Sequence, residues 1–209
     1  PGKSAQRRFP GASGSGGSGD ATRALNSEGS GSLRNSLVDK NVKPLDDPST
    51  DELLPCTDPE RTVRVALGKL TKASTAKPMD LDWQEQYESL LEMRRLTKFH
   101  ASVITPELHQ IVLAVVPAVD SLRSQIAKMA TQLVREFITS LDPKSLELEL
   151  DYLIPPLVKR AGENTWLGGE ADDAIGDFAK TLSANKVLSA LLPHANHKAP
   201  AVRLSASWH

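Results

Sequence analysis

The feature that most constrains this chain is a pair of amphipathic helices that recurs at intervals of roughly 40 residues. The turn inside the pair is polar, basic or aromatic each time, at residues 122–124, 162–166 and 197–203. Helix pairs at this spacing are typical of HEAT-type solenoids, whose repeats stack in one direction. Equivalent turns then line up along one edge, and this predicts an edge that binds another protein rather than an enzyme.

Helix boundaries in the first two pairs follow from capping residues and proline. Asp58 is the predicted cap of the first helix, and Asp82 is the predicted cap of a second helix that starts at Trp83. The second pair is predicted to open with a cap over residues 105–108, and Pro117 is predicted to close its first helix. The apolar face of that helix is Leu108, Ile111, Val112 and Val115.

The third pair is predicted to begin at Asp142, and the fourth begins near Val187 and stops where its second helix should start. The remaining apolar positions at helical spacing are Ile126, Ala130, Leu133, Val134, Phe137, Leu146, Leu150, Leu153, Ile154, Leu157, Ala171, Ala174, Ile175, Phe178, Leu182, Leu188 and Leu191. No segment alternates as a β-strand does. The predicted fold is therefore all-α, a HEAT-repeat helical solenoid that is truncated in its fourth helix pair.

Residues 1–58 are predicted to be a disordered linker in front of a helical domain at residues 59–209. Residues 11–19 contain only Gly, Ser and Ala, and the prolines that follow keep the chain extended. The acidic and apolar stretch at residues 46–54 is either a docking motif or, as its composition favours, solvated linker. Because the chain begins with Pro1 and ends inside a helical pattern, we expect it to be a fragment of a longer polypeptide.

Composition narrows the class of partner. The net charge is −1, so no bulk field attracts nucleic acid or an anionic membrane. Hydrophobic residues make up 39% of the chain but aromatic residues only 4%, which suits stacked helices with an aliphatic core. The single cysteine, Cys56, excludes an internal disulfide. We identify no signal peptide and no apolar run near the roughly 20 residues that span a bilayer, and so we expect neither nucleic acid nor a membrane as partner.

The candidate catalytic and metal-binding motifs are weak. His194 and His197 stand three positions apart, but no cysteine or acidic residue nearby completes a tetrahedral metal site. Gly168 and Gly169 begin a helix without the lysine or the preceding strand of a phosphate loop. No nucleophile is paired with a base. The sequence therefore predicts no catalytic residue, no cofactor and no metal, and an enzyme that uses the two histidines is the third interpretation.

Aromatic and basic side chains stand out on the loop edge. Trp83 follows the first intra-pair loop, and it is either a contact residue or a buried staple against the next repeat. Trp166 belongs to the third loop, between flexible glycine positions, where an exposed Trp is costly without a partner. Arg123 in the second loop is suited to fork onto a carboxylate, although alone it is better explained as a helix cap or a solvated charge. Because the three residues share one edge, contact with a partner is the preferred interpretation.

Several motifs in the helical region recur together in one known kind of domain. They are Asp82-Trp83, Met93-Arg94-Arg95-Leu96, Phe99-His100, Leu122-Arg123-Ser124, Lys-Arg-Ala-Gly-Glu-Asn at residues 159–164, Glu170-Ala171-Asp172 and Val202-Arg203. In these motifs the chain resembles the TOG domain, a tubulin-binding HEAT module. The resemblance is to the TOG array regulator of axonemal microtubules (crescerin) family in particular, which is related to CLASP-type TOG domains.

The resemblance implies that loops along one face of a paddle-shaped domain bind the side of an αβ-tubulin heterodimer. It implies that Trp83 packs on β-tubulin, that Arg123 pairs with an acidic side chain, and that a basic fourth loop faces α-tubulin. The residues implied in tubulin binding are Trp83, Arg123, Ser124, Asn164, Thr165, Trp166, Lys198 and Arg203. Because tubulin surfaces are acidic, the binding is expected to weaken with salt.

The resemblance also implies a biological role. The chain is expected to be a microtubule-associated regulator that promotes polymerisation or stability, in the cytoplasm and cytoskeleton and in cilia or axonemes. It is expected to be a monomeric module of a larger multi-TOG polypeptide. An intact TOG domain has six helix pairs, so we expect this chain to be less stable and to bind tubulin more weakly. The alternative is a generic HEAT scaffold that binds a different protein.

Overall fold

The computed structural model describes residues 48–77, 79–163 and 165–196. Residues 1–47 of the predicted linker and the predicted second helix of the fourth pair lie outside these ranges. Regular structure in the described residues is helical throughout, which confirms the all-α prediction. The α-helices are α1 (Pro59–Thr75), α2 (Trp83–Phe99), α3 (Ala101–Ile104), α4 (Leu108–Val119), α5 (Ser124–Ser140), α6 (Pro143–Glu147), α7 (Leu150–Ala161), α8 (Trp166–Thr181) and α9 (Ala184–Leu191), with short 3-10 helices at Thr50–Glu52, Thr105–Glu107 and Leu192–His194.

The helices stack as pairs in two layers. Within the pairs, α1 packs on α2, α4 on α5, and α7 on α8. Between the pairs, α1, α4, α7 and α9 lie in sequence in one layer, and α2, α5 and α8 lie in sequence in the other. The three intra-pair loops therefore fall on one edge of the stack. This arrangement confirms the predicted HEAT-type solenoid for the three pairs that the structure describes.

The core lies between the two layers, and α5 is at its centre. The five predicted apolar residues of α5 are completely buried: Ile126, Ala130, Leu133, Val134 and Phe137. Their spacing places them on one side of the helix, where they meet α2, α4 and α8. Each of the larger ones, the Ile, Leu, Val and Phe side chains, contributes about 1.5–3 kcal/mol relative to exposure. The predicted apolar faces of α4, α7 and α8 are buried in the same way.

Three of the helices start at the aspartates that the sequence predicts as caps. The Asp58 side chain accepts a hydrogen bond from the Arg61 amide at the start of α1. Asp82 accepts from the amides of the second and third residues of α2, and Asp142 accepts from the Ser145 amide in α6. Each carboxylate accepts from backbone amides that have no partner inside the helix. Its negative charge also interacts favourably with the positive end of the helix dipole.

The start and end of α4 differ from the prediction. Thr105 does not cap this helix, because its backbone is already helical (φ −55°, ψ −44°) as α3 continues through a 3-10 turn, whereas a cap needs extended backbone. Its hydroxyl donates instead to the Ala101 carbonyl at 3.0 Å. Pro117 does not close the helix either: α4 continues to Val119 with the proline inside its last turn.

Two further predictions of helix detail are wrong. The first helix of the third pair is not continuous, because α6 has only five residues and is separated from α7 by Leu148 and Glu149. Leu188 is 55% exposed, although Val187 and Leu191 on the same helix are buried. The apolar period of α9 therefore points Leu188 away from α7, the helix on which α9 packs most extensively.

The segment Ala101–Val119 is, by length and composition alone, apolar enough to cross a membrane. This differs from the sequence analysis, which finds no apolar run of that length. In the structure the segment belongs to the stack: Ile111, Val112 and Val115 are completely buried, and α4 packs against α1, α5 and α7. The apolar character of the segment is thus explained by its place in the core.

Residues 48–56 form an N-terminal strap that lies across α2 and α5 ahead of α1. Leu53 is buried, and the Thr50 hydroxyl donates to Glu136 Oε1 of α5 at 2.8 Å. Arg94 of α2 donates from Nη1 to the Pro48 carbonyl at 3.0 Å. The packed region therefore begins ahead of residue 59, the boundary that the sequence analysis draws between linker and domain.

A buried ion pair lies beneath the strap. Arg94 is completely buried, and its Nε and Nη2 donate to the Glu136 carboxylate at 2.8–3.1 Å. Glu136 is itself 4% exposed. The fork geometry and the additional bond from Thr50 satisfy charges that would otherwise be expensive to bury.

Candidate functional site

The candidate contact residues occupy equivalent places in the three helix pairs. Trp83 is the first residue of α2, and Trp166 is the first residue of α8. Arg123 is the residue immediately before α5, and Ser124 is its first residue. Each therefore lies where an intra-pair loop enters the second helix of its pair, on the edge that the three loops share.

The structure brings Trp83 and Arg123 into contact. The guanidinium carbon of Arg123 lies 5.2 Å from the centre of the Trp83 ring, within the range of a cation–π interaction. Trp83 is half-buried and Arg123 is exposed. Part of the Trp83 ring is therefore covered by the fold, as in the staple interpretation, and part faces solvent, where contact with a partner stays a prediction.

The second loop carries an exposed apolar residue that the sequence analysis does not single out. Leu122 is fully exposed beside Arg123. Ser124, the other neighbour of Arg123, is also exposed. The backbone at Arg123 is held within the loop, because the Arg123 amide donates a hydrogen bond to the Ser121 hydroxyl at 3.2 Å. The junction of the first two loops thus carries the contact of Arg123 with Trp83 and, next to Arg123 in the chain, an exposed aliphatic side chain.

An ion pair links the second loop to the end of α7. Lys159, in the last turn of α7, donates from Nζ to the Asp120 carboxylate at 2.9 Å. Both side chains are substantially exposed, so the pair contributes about 1 kcal/mol or less to stability. Its effect is geometric, because it holds the end of α7 against the loop that presents Arg123.

Trp166 does not lie in a mobile loop between flexible glycines, as the sequence analysis expected. It begins α8, and Thr165 caps that helix by accepting a hydrogen bond from the Gly168 amide at 3.2 Å. Gly168 and Gly169 are inside the helix. The Trp166 side chain is nevertheless 57% exposed, which leaves a large aromatic surface in solvent on the loop edge.

Three predicted contact residues, Asn164, Lys198 and Arg203, lie outside the described residues, as does His197. His194 is half-buried in the last 3-10 helix. Across the described parts of the chain, no group of three or more His, Cys, Asp or Glu side chains is arranged to hold a metal ion. The structure thus places Trp83, Arg123, Ser124, Thr165 and Trp166 of the predicted set.

Cys56, at the end of the strap, has an environment that suppresses thiol chemistry. Its Sγ donates to Glu92 Oε2 of α2 at 3.5 Å. Burial first, and then the negative charge and hydrogen bond of Glu92, raise the pKa of the thiol from 9.0 to about 11, against a smaller opposing effect of Arg95. Because a reactive cysteine needs a lowered pKa, this environment disfavours the nucleophilic thiolate form of Cys56.

The stack of helix pairs, with aromatic and basic loop residues on one edge, defines a helical-repeat domain of the HEAT type. A family model described as CLASP N terminal matches residues 68–209. Among curated proteins, TOG array regulator of axonemal microtubules protein 1 of Mus musculus is 29% identical over 160 residues, 76% of this chain. The Homo sapiens protein of the same name is 30% identical over 142 residues, 68% of this chain.

Since the family model covers more than half of its residues, the chain belongs to the CLASP N-terminal family. The predicted resemblance to a TOG domain of the array regulators is confirmed by the two relatives. The chain spans 8% of the length of each of these relatives, so the similarity concerns one domain and not the remainder of those proteins.

Proposed function

We propose that this chain is a microtubule-associated TOG module that binds αβ-tubulin through the loop edge and promotes the polymerisation or stability of microtubules. Membership of the CLASP N-terminal family supports this proposal, as do relatives whose names describe regulators of axonemal microtubules. We extend it to a place of action in the cytoplasmic cytoskeleton and in cilia or axonemes. The chain would act there as a monomeric module within a longer multi-TOG polypeptide, and not as an enzyme.

The single observation that carries the proposal is the contact of Arg123 with Trp83 across two loops. A Trp and an Arg held together on an exposed edge have the residue types that dominate the energetics of protein interfaces. Trp166, at the equivalent position one pair further on, extends the same edge with a second aromatic side chain. Such an edge fits a partner that is large and continuous over several helix pairs.

The charge of Arg123 suggests what the partner offers. Within the part of the chain that the structure describes, no carboxylate forms an ion pair with Arg123, and its recorded side-chain contact is the face of Trp83. A carboxylate on an acidic tubulin surface would meet the guanidinium in a fork, while Trp83 and Leu122 cover apolar surface beside it. The predicted basic fourth loop, with Lys198 and Arg203, would extend the contact to the second tubulin subunit.

The direct test is co-elution of the 209-residue chain with αβ-tubulin on a sizing column at low salt, followed by an affinity measurement. We expect the chain to shift with tubulin and the shift to weaken as salt rises, because exposed charges are screened. The double variant Trp83→Ala, Arg123→Ala is expected to lower the affinity by about 30-fold or more, since two interface anchors are removed. Trp166→Ala alone is expected to lower it by about tenfold.

Matched controls separate the loop edge from the rest of the surface. Tyr152→Ala removes an exposed aromatic ring at the far end of α7 from the third loop, where it contacts His109. Arg135→Ala removes a cation that pairs with Glu170 and Asp177 between α5 and α8. Both controls are expected to keep tubulin affinity within about threefold of wild type. A folded wild-type chain that does not bind tubulin, or controls that are as damaging as the loop variants, would contradict the proposal and favour a scaffold with another partner.

A further inference from the structure

Arg160, in the last turn of α7, is buried although it carries a charge, and its side chain bonds to the end of α4 and to the second and third loops. Its Nε and Nη2 donate to the Val119 carbonyl at 3.2 and 2.7 Å. Nη2 also donates to the Ser121 carbonyl at 3.0 Å. Nη1 donates to Glu163 Oε2 in the third loop at 2.9 Å. One guanidinium thus joins the end of α4, the second loop and the third loop.

The bonds of Arg160 satisfy groups that the fold leaves without partners. Val119 is the last residue of α4, so its carbonyl accepts no hydrogen bond from an amide within the helix. The positive charge of Arg160 also interacts favourably with the negative, C-terminal end of the α4 dipole. Only a planar guanidinium reaches two carbonyls and a carboxylate in fixed directions at once, and a lysine does not have this geometry.

The turn that Arg160 holds is the one that presents Arg123. Ser121 supplies a carbonyl to Arg160 and a hydroxyl to the Arg123 amide. Its own amide donates to the Ala118 carbonyl at 3.1 Å. If the Ser121 carbonyl is released, the backbone that leads to Arg123 loses its bond to a buried side chain, and the position of Arg123 over Trp83 is less well defined.

We propose that Arg160 is a positioning residue for tubulin binding: it fixes the second loop so that Arg123 stays over Trp83, and it ties that loop to the third through Glu163. The inference rests on the proposed function for its consequence and on the observed bonds for its geometry. Arg160 does not contact the partner. It acts through Arg123, and its loss is therefore distinguishable from the loss of a contact residue.

The first test needs no tubulin. Amide hydrogen exchange of the 209-residue chain is compared with that of Arg160→Gln, and of Arg135→Gln as a matched control. We expect Arg160→Gln to raise the exchange rate of the Ser121 amide about tenfold, while amides in the centres of α2 and α5 keep their rates. Arg135→Gln is expected to leave the Ser121 amide unchanged. An unchanged Ser121 amide in folded Arg160→Gln would overturn the proposal.

The second test measures tubulin affinity in a double-mutant cycle. Arg160→Gln is expected to weaken binding about tenfold in the wild-type chain but less than about twofold in an Arg123→Ala background, because its effect passes through Arg123. The same loss in both backgrounds would overturn the proposal, since a general structural defect is additive. If the wild-type chain does not bind tubulin, the proposed function fails, and the exchange experiment alone decides the positioning role.

A milder variant keeps the proposal testable if Arg160→Gln does not fold. Arg160→Lys retains the positive charge at the end of α4 but cannot donate to both carbonyls and to Glu163 together. We expect it to fold and to raise Ser121 exchange about threefold. If the Ser121 amide exchanges at the wild-type rate in Arg160→Lys, a positive charge alone holds the loop. That result would overturn the proposal that the guanidinium geometry of Arg160 is required.

Discussion

The guanidinium carbon of Arg123 lies 5.2 Å from the centre of the Trp83 ring, although the two residues belong to different helix pairs. Trp83 begins α2, and Arg123 immediately precedes α5. Because α2 and α5 pack side by side, the starts of the two helices are neighbours, and residues at these positions meet. The first two loops therefore form one preorganised surface, which lowers the ordering cost of binding a partner.

The contact between Trp83 and Arg123 should be measurable in the unfolding free energy of the chain. In a cycle of Trp83→Ala, Arg123→Ala and the double variant, we expect a coupling of about 0.5–1 kcal/mol, the range for exposed cation–π pairs. The unfolding free energy of each variant is measured by urea denaturation, with circular dichroism as the readout. A parallel cycle of Trp166→Ala with Arg123→Ala is the control and should be additive to within about 0.5 kcal/mol. Equal coupling in both cycles would mean that the stacking does not contribute.

The helices were largely predictable because their determinants are local. Asp82 caps α2 through two amides that follow it directly in the chain, and Asp142 caps α6 through the nearby Ser145 amide. The buried face of α5 likewise follows from the spacing of its apolar residues, which matches the 3.6-residue repeat of a helix. The entry to α4 was not predictable in the same way. There Thr105 has the residue type of a cap, but α3 before it keeps the backbone helical.

The strap and the supports of the loop edge depend on contacts between distant parts of the chain. Arg94 is buried because Glu136, 42 positions later, receives its guanidinium. Arg160 likewise bonds to the carbonyl of Val119, 41 positions earlier. A basic residue on a helix is ordinarily exposed, so the burial of Arg94 and of Arg160 could not be predicted from local sequence. The repeat period predicts that Trp83 and Arg123 share one edge, whereas their contact depends on the packing of α2 against α5.

The buried pair of Arg94 and Glu136 should be a major determinant of stability. Arg94→Met leaves the Glu136 carboxylate buried without its cation, and we expect the unfolding free energy to fall by about 3–5 kcal/mol. Adding Glu136→Leu should recover part of this loss, because no unpaired charge then remains buried. Urea unfolding of the three chains measures both effects.

The exposed pair of Arg64 and Glu60, 3.7 Å apart on α1, provides the control for Arg94. Arg64→Met is the same chemical change at a solvated site, and we expect it to alter stability by about 0.5 kcal/mol or less. If Arg64→Met and Arg94→Met have similar effects, the burial of the Arg94 pair is not the cause of the loss.

Cys56 should react slowly with alkylating reagents in the folded chain. A pKa raised from 9.0 to about 11 lowers the thiolate fraction about 100-fold at neutral pH, while the more basic thiolate is about eightfold more nucleophilic, so the net rate falls roughly tenfold. Iodoacetamide labelling of folded and urea-unfolded protein measures the ratio. Glu92→Gln removes the negative charge beside the thiol and should bring the two rates closer together.

The Cys56 thiol should also make stability depend on alkaline pH. Its pKa is higher in the folded state, so the folded chain retains a proton that the unfolded chain releases. The associated stabilisation is complete below pH 9.0 and is lost as the pH rises through about 11. Unfolding between pH 8 and 11 should therefore show a steeper decline for wild type than for Cys56→Ala. Equal slopes would contradict the raised pKa.

Two adjacent glycines in α8 should respond in opposite directions to alanine. A Cβ atom at Gly168 would lie 2.2 Å from the Glu163 carbonyl oxygen, a backbone group that cannot move aside without shifting the third loop. At Gly169 the same atom would meet nothing within 4 Å. We expect Gly168→Ala to destabilise the chain by about 1–3 kcal/mol through this overlap. Gly169→Ala should instead stabilise it by about 0.5–1 kcal/mol, because alanine is the better helix residue.

The glycine pair also tests whether the third loop contributes to binding. Gly168 lies two residues after Trp166 and donates its amide to the Thr165 cap, so a shift of the Glu163 carbonyl should displace the start of α8 and the exposed indole with it. We therefore expect Gly168→Ala to weaken tubulin binding severalfold and Gly169→Ala to leave it unchanged. Thermal unfolding and tubulin affinity are measured on the same preparations. If Gly168→Ala lowers stability but binds tubulin as wild type does, the third loop is not part of the contact, and the interface is confined to the side of the edge where Arg123 covers Trp83.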